Sequence, residues 1–150
     1  MAMNENLGSL LADVSRLMRR SFDERARGLG VTRPQWRVLT VLRRQEGINQ
    51  GLLAELLEVE PITACRMVDR LQEAGLVERR ADPNDRRAWL LFLTSQAKSL
   101  LDSLHPEALE MIDEAMTGLA AEERAQLHNL LIRVRTNLSR RTPHMVAVNG

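Results

Sequence analysis

A turn flanked by two short apolar-rich segments constrains this chain more than any other feature. Residues 76–92 read Leu-Val-Glu-Arg-Arg-Ala-Asp-Pro-Asn-Asp-Arg-Arg-Ala-Trp-Leu-Leu-Phe, and the turn residues Pro83, Asn84 and Asp85 lie near the middle. This pattern predicts a β-hairpin with one of the longer loops. Arg86 and Arg87 follow the turn directly, so the hairpin is expected to present guanidinium groups to solvent.

The rest of the chain shows the periodicity of amphipathic helices, because apolar residues recur at three- and four-residue steps. Gly28 and Gly30 are expected to stop the first helix, and Thr32 and Thr94 are plausible N-caps. Pro106 is expected to kink or break the helix that contains it. The predicted helices cover residues 6–26, 32–47, 50–57, 61–74, 94–117 and 122–141.

Length and composition favour one mostly helical domain. The 150 residues are 44% hydrophobic, which is enough for one core, and the chain has no Tyr, two Phe and two Trp. The predicted order is α-α-α-α-β-β-α-α, and residues 142–150 are interpreted as a frayed tail. The apolar stripe of the first helix has two interpretations, packing in the core or burial against a partner subunit.

The third and fourth predicted helices are separated only by residues 58–60, which is the spacing of a helix-turn-helix. The second helix of that motif enters the major groove of DNA. At about 100° per residue, the fourth helix has one apolar and one polar side. Ile62 falls on the polar side, where contact with a thymine methyl and an ordinary helix-end contact both remain open. The polar side consists of Thr63, Arg66, Asp69, Arg70 and Glu73.

Charge and cysteine content narrow the setting but do not by themselves reveal the function. The formal net charge is +1, so only a local concentration of arginine can argue for a nucleic-acid partner. Cys65 is the single cysteine and is interpreted as a half-buried filler rather than a redox switch. One cysteine, no signal segment and no apolar run long enough for a membrane span together predict a cytoplasmic protein.

Catalysis is not expected. The sequence has no Gly-rich phosphate loop, no nucleophile elbow and no pair of His or carboxylate residues at catalytic spacing. His105, His128 and His144 are scattered without the spacing of metal ligands, so no metal and no cofactor are predicted. A helical interaction scaffold remains as an alternative, although it gives the hairpin arginines no role.

Taken together, these motifs resemble the MarR family of winged helix-turn-helix transcriptional regulators. The resemblance is dense over residues 50–95, whereas the flanking helices match in placement rather than in letters. It is carried by Leu53-Ala54, Val68-Asp69-Arg70-Leu71, Gly75-Leu76-Val77, Arg79, Asp82-Pro83-Asn84-Asp85-Arg86-Arg87 and Leu93-Thr94.

The resemblance implies a mostly α (α+β) fold and a homodimer on a pseudo-palindromic operator in double-stranded DNA. Residues 1–150 would form one MarR-type domain, with a DNA-binding lobe at 32–94 and dimerisation helices at 6–28 and 95–141. Asp85 would orient one wing guanidinium, and Arg79 would support it from the strand. The DNA-binding residues implied are Pro61, Thr63, Arg66, Arg70, Arg79, Asp85, Arg86 and Arg87.

The resemblance also implies a small aromatic acid as a possible effector, because family members often respond to such ligands. Thr32 and Trp36 resemble the start of the second helix in the salicylate-responsive SlyA branch, and Arg19, Trp36 and Arg37 would line the pocket. Trp36 as an ordinary core residue is the alternative. A repressor released by the ligand is expected, while a ligand-insensitive activator or anti-silencer remains open. The peroxide-sensing branch has a reactive cysteine in its first helix, which this sequence lacks.

Overall fold

The computed structural model describes residues 6–140. These residues form six helices and one two-stranded antiparallel sheet, in the predicted order. The elements are α1 (Leu7–Gly28), α2 (Arg33–Arg44), α3 (Gln50–Leu57), α4 (Pro61–Glu73), β1 (Val77–Asp82), β2 (Asp85–Leu93), α5 (Ser95–Ala115) and α6 (Ala121–Arg140).

The chain forms two compact units that divide after Ile112. The first contains α1 to α4, the hairpin and most of α5, and the second contains the end of α5 and α6. The first unit holds the main core, in which α2, α3, α4, the hairpin and the start of α5 meet. Its fully buried members include Leu39, Leu42, Leu53, Leu71 and Leu91.

Local side-chain chemistry sets the helix boundaries as predicted. Thr32 caps α2 in a capping box with Gln35, and the Thr94 hydroxyl accepts a hydrogen bond from the Ala97 amide at the start of α5. Glu58 ends α3 with a left-handed φ of 55°, and Pro61 then opens α4. The predicted helix-turn-helix is therefore confirmed in α3 and α4.

The hairpin is also confirmed, but the prediction of a longer loop is wrong. Only Pro83 and Asn84 separate the strands, which run antiparallel from Val77 opposite Leu93 to Asp82 opposite Asp85. The Asp82 carboxylate accepts a hydrogen bond of 2.9 Å from the Asn84 amide, and the register shifts between Ala81 and Asp82. This local bond lets the chain reverse within two residues.

Pro106, expected to kink or break the fifth helix, does not break it, because α5 is one helix on both sides of the proline. Proline removes a single N–H donor from the helix. Leu104 and Met111 are buried on either side of it, so packing supports the helix before and after the proline.

Two further predictions concern the end of the chain and a membrane span. Arg141 and the frayed tail at 142–150 lie outside the described residues. Within residues 6–140, no helix combines the length and the apolar character needed to cross a bilayer.

Candidate nucleic-acid interface

Helix α4 is anchored by one face and leaves the opposite face open. Ala64, Val68 and Leu71 are buried in the main core, and all five residues of the predicted polar side are exposed. Pro61, at the first helical position, is exposed as well. The two-sided character read from the sequence is therefore confirmed, and the open face carries Thr63, Arg66 and Arg70.

The Arg79 side chain joins β1 to both helices of the helix-turn-helix. Its Nε donates to Gln50 Oε1 of α3 at 2.7 Å, and its Nη1 donates to Gln72 Oε1 of α4 at 2.6 Å. Its Nη2 lies 2.7 Å from Asp69 Oδ1, also on α4. With 15% of its side chain exposed, this guanidinium is occupied by partners within the protein. The resemblance had included Arg79 in the DNA-binding set as a support for a wing guanidinium.

Cys65 contacts the same guanidinium. The Arg79 Nη2 lies 3.9 Å from Cys65 Sγ and donates a long hydrogen bond of 3.5 Å to the Cys65 carbonyl. The cysteine is half-buried, as its interpretation as a filler requires.

Among residues 6–140, no group of three or more His, Cys, Asp and Glu side chains could hold a metal ion.

The tip of the hairpin differs from α4 in having little packing beneath it. Asp85 Oδ1 accepts a hydrogen bond of 3.0 Å from the backbone amide of Arg87, so Asp85 orders the turn rather than a guanidinium here. Arg86 and Arg87 are exposed. Within the described part of the chain their side chains have no hydrogen-bond or ion-pair partner.

The same is true of the α4 arginines. Across residues 6–140, neither Arg66 nor Arg70 has a side-chain hydrogen bond or ion pair, whereas Arg79 and Arg80 are both engaged. The open face of α4 and the hairpin tip therefore present four arginine side chains that are free to bind anions.

A cavity of about 760 Å³ lies between α1, α2 and α5 in the first unit. Arg19 and Trp36 line it, but Arg37 does not. The Trp36 ring meets Phe22 edge-on at 4.9 Å, and its Nε1 donates to Asp23 Oδ1 at 2.7 Å. The cavity thus has an aromatic wall and a charged rim.

Several ionisable residues that the sequence did not assign to a ligand site also line this cavity. Arg43 and Arg44, in the last turn of α2, and His105 of α5 also line it. Arg43 donates to Asp102 Oδ1 at 2.8 Å. Paired arginines at a helix C-terminus are the only sequence signal, and it is weak because basic residues there also suit the helix dipole.

Arg37 lies instead at a smaller cavity of about 350 Å³ between α2 and α4. Its Nη2 donates to the Leu57 carbonyl, the last residue of α3, at 2.8 Å. Arg66 and Arg70 line the same cavity. Of the three proposed ligand-binding residues, the structure brings together only Arg19 and Trp36.

These features define a winged-helix protein with a helix-turn-helix and a two-stranded wing. A model of the MarR family matches residues 31–89. The apo form of wild-type MarR from E. coli is 32% identical with a TM-score of 0.80, over 87% of this chain and 97% of that chain. Mutant MarR from E. coli complexed with operator DNA is 32% identical with a TM-score of 0.71, covering 85% and 92%. The transcriptional regulator SlyA is 26% identical with a TM-score of 0.74, covering 91% and 96%.

The chain belongs to the MarR family. It is a winged-helix transcriptional regulator of a family whose members are DNA-binding regulators and not enzymes. The resemblance to the MarR family is therefore confirmed, and so is the fold class.

The contacts of Arg79 predict a structural role for it. Replacing it by alanine (R79A) removes hydrogen bonds to Gln50 and Gln72 and the ion pair with Asp69. We expect the free energy of unfolding, measured in urea, to fall by about 1–3 kcal/mol. Each hydrogen bond makes a net contribution of about 1 kcal/mol, and the ion pair with the half-exposed Asp69 adds little.

The matched control is R80A in the same strand. The Arg80 guanidinium lies 4.1 Å from the Phe92 ring centroid but its side chain is 54% exposed, so its loss should cost less than about 1 kcal/mol. Equal losses of stability in the two variants would contradict the role given to Arg79.

Proposed function

We propose that this protein is a cytoplasmic homodimer that binds a pseudo-palindromic operator and represses transcription until a small aromatic acid releases it. The observation that carries the DNA-binding part is the set of unpaired arginines on α4 and the wing. In a chain of net charge +1, Arg66, Arg70, Arg86 and Arg87 concentrate positive charge on these two elements.

The two elements suit different parts of duplex DNA. A recognition helix presents its first turns to base edges in the major groove, where Arg66 and Arg70 have the fork geometry that reads guanine. The wing is narrow, and arginine is favoured in the narrow, electronegative minor groove. Arg86 and Arg87 at its tip suit that position. The DNA-bound structure of E. coli MarR supports a DNA partner for the same fold.

Two consequences for the operator follow from this geometry. Two recognition helices related by a two-fold axis meet half-sites about 10 bp apart. Arginines that neutralise phosphates release counterions, so affinity falls steeply with salt concentration.

The first experiment is a salt titration of binding to a duplex that the wild-type protein selects from a random-sequence library. For R86A/R87A, we expect weaker binding and a shallower slope of log affinity against log salt. The slope should fall by about one for each phosphate that is no longer neutralised, or about four in a dimer.

R66A or R70A should instead reduce discrimination between sequences by about 1–3 kcal/mol for each base that the variant no longer reads.

The matched control is R16A/R20A, which makes the same change in net charge on the exposed side of α1. It should leave both affinity and slope close to those of the wild type. A wild-type slope retained by R86A/R87A would contradict the role of the wing. Failure to select any duplex would favour the helical-scaffold alternative.

The homodimer is inferred from apolar surface that the described chain leaves uncovered. Apart from Leu29, Ile62 and Trp89, every exposed large apolar residue of the described chain lies in α1, α5 or α6. Helix α6 buries none of its residues, although it carries six large apolar ones. A second copy would cover such stripes through a self-complementary interface. The six are Leu127, Leu130, Leu131, Ile132, Val134 and Leu138.

A charge placed on the α6 stripe tests the dimer. We expect the wild type to sediment with a mass near twice 17.0 kDa, and L130E to shift it towards the monomer, because a carboxylate cannot be buried without a partner. N129E adds the same charge about 100° around the helix, away from Leu130, and should remain dimeric. A monomeric wild type would refute the dimer, and a dimeric L130E would place the interface elsewhere.

The effector is inferred from the larger cavity. Phe22 and Trp36 offer an aromatic wall, and Arg19, Arg43 and Arg44 place cations around it. A small aromatic acid needs both features, an apolar face for the ring and a guanidinium for the carboxylate. The cavity volume of about 760 Å³ lies within the usual range for small-molecule sites.

Trp36 provides the measurement, because it lines the cavity. In the W89F background it is the only tryptophan, and salicylate should change its fluorescence in a saturable way and release the selected duplex. R19A should weaken salicylate binding about tenfold, since a charge-assisted hydrogen bond contributes at least about 1.5 kcal/mol. R20A, the neighbouring exposed arginine that does not line the cavity, is the control. No change in fluorescence or in DNA binding would leave a regulator that does not respond to this ligand.

A further inference from the structure

Ile62 is an exposed apolar residue on the DNA-facing side of α4. Its side chain is 60% exposed, although it is the second residue of a helix whose opposite face lies in the core. The sequence left open whether it makes an ordinary helix-end contact within the chain. The exposure excludes substantial burial by the described residues, so they do not make the helix-end contact and the side chain is open to a partner.

The position of Ile62 on the helix indicates the kind of partner. At about 100° per residue, it lies within about 30° of the direction opposite to Ala64, Val68 and Leu71. Arg66 follows one turn later on the same face. Residues in the first turns of a recognition helix are those that reach base edges.

The neighbouring charges distinguish DNA from a protein surface. The other exposed large apolar residues of the helices lie on α1, α5 and α6, whereas Ile62 is the one on α4, on a face with Arg66 and Arg70. Of the two carboxylates on that face, Asp69 is paired with Arg79, and Glu73 is the last residue of the helix. A partner that matches one aliphatic group among cations must combine a small apolar group with a dense array of anions. In the major groove, the C5-methyl group of thymine lies between two phosphate backbones and offers this combination.

We propose that Ile62 reads a thymine methyl group in each operator half-site. The inference rests on the proposed entry of α4 into the major groove. It adds a specificity determinant of a different chemical kind from the arginines, since Ile62 excludes water from the methyl group instead of forming a hydrogen bond. The operator half-site should therefore contain one thymine at which the methyl group, rather than the base pair alone, contributes to affinity.

Replacing thymine by deoxyuridine tests this directly, because it removes the methyl group and preserves base pairing. The probe is the duplex selected from the random library by the wild-type protein, with deoxyuridine placed symmetrically in both half-sites at one thymine position at a time. At one position we expect wild-type affinity to fall about fourfold per half-site, or about 15-fold in all, from the burial of one methyl group.

The I62A variant tests whether Ile62 is the side chain that contacts this methyl group. It should bind the thymine duplex more weakly than the wild type and show no further loss with deoxyuridine at that position. I62V, which keeps a branched apolar side chain, should retain most of the penalty. R87A controls for weak binding, because it should lose affinity and still respond to the missing methyl group. Thermal unfolding of I62A should match that of the wild type, since the residue is exposed.

Three results would overturn the proposal. The first is wild-type affinity that does not change with deoxyuridine at any thymine position, and the second is an I62A variant that loses as much affinity to deoxyuridine as the wild type does. The third is an I62A variant with a weakened dimer, which would assign Ile62 to contact with a second copy. Failure of the wild type to select any duplex is a distinct result, because it overturns the proposed function as well.

Discussion

The position of α4 relative to the wing depends on the apolar core and on one guanidinium. Arg79 projects from β1 and bonds to Gln50 on α3 and to Gln72 and Asp69 on α4, so the wing and both helices of the motif share a single cation. The apolar core fixes the buried face of α4 through Ala64, Val68 and Leu71, but packing alone is less directional than hydrogen bonds. The core and this guanidinium together hold the open face of α4 and the wing in one arrangement.

This arrangement separates two kinds of arginine. Those on β1 of the wing are paired within the protein, Arg79 with Asp69 and Arg80 with Glu78. Those at the wing tip and on the open face of α4 have no such partner among the described residues. A free guanidinium is available to an external anion without first breaking an ion pair, which explains how a chain of net charge +1 can present a basic surface. Local pairing, more than total charge, decides where DNA is expected to bind.

The two cavities are linked by a chain of side-chain contacts through Asp23. Trp36 lines the larger cavity and also donates to Asp23, whose other oxygen lies 2.6 Å from Arg33 Nη2. Arg33 lines the smaller cavity beside α4, together with Arg37. The wall of the larger cavity and the lining of the smaller cavity beside α4 are thus connected through the Asp23 carboxylate.

The sequence by itself determined the secondary structure and its order, because helical and strand periodicity, capping residues and turn residues act over a few neighbouring positions. It identified α3 at residues 50–57, the cap at Thr32 and the exposed side of α4. Only the tertiary structure decided the partners of Arg79, the separation of Arg37 from Arg19 and Trp36, and the exposure of Ile62. Gln50 and Arg79 are 29 positions apart, and no local pattern records such a contact. It exists only once the core has brought α3 and β1 together.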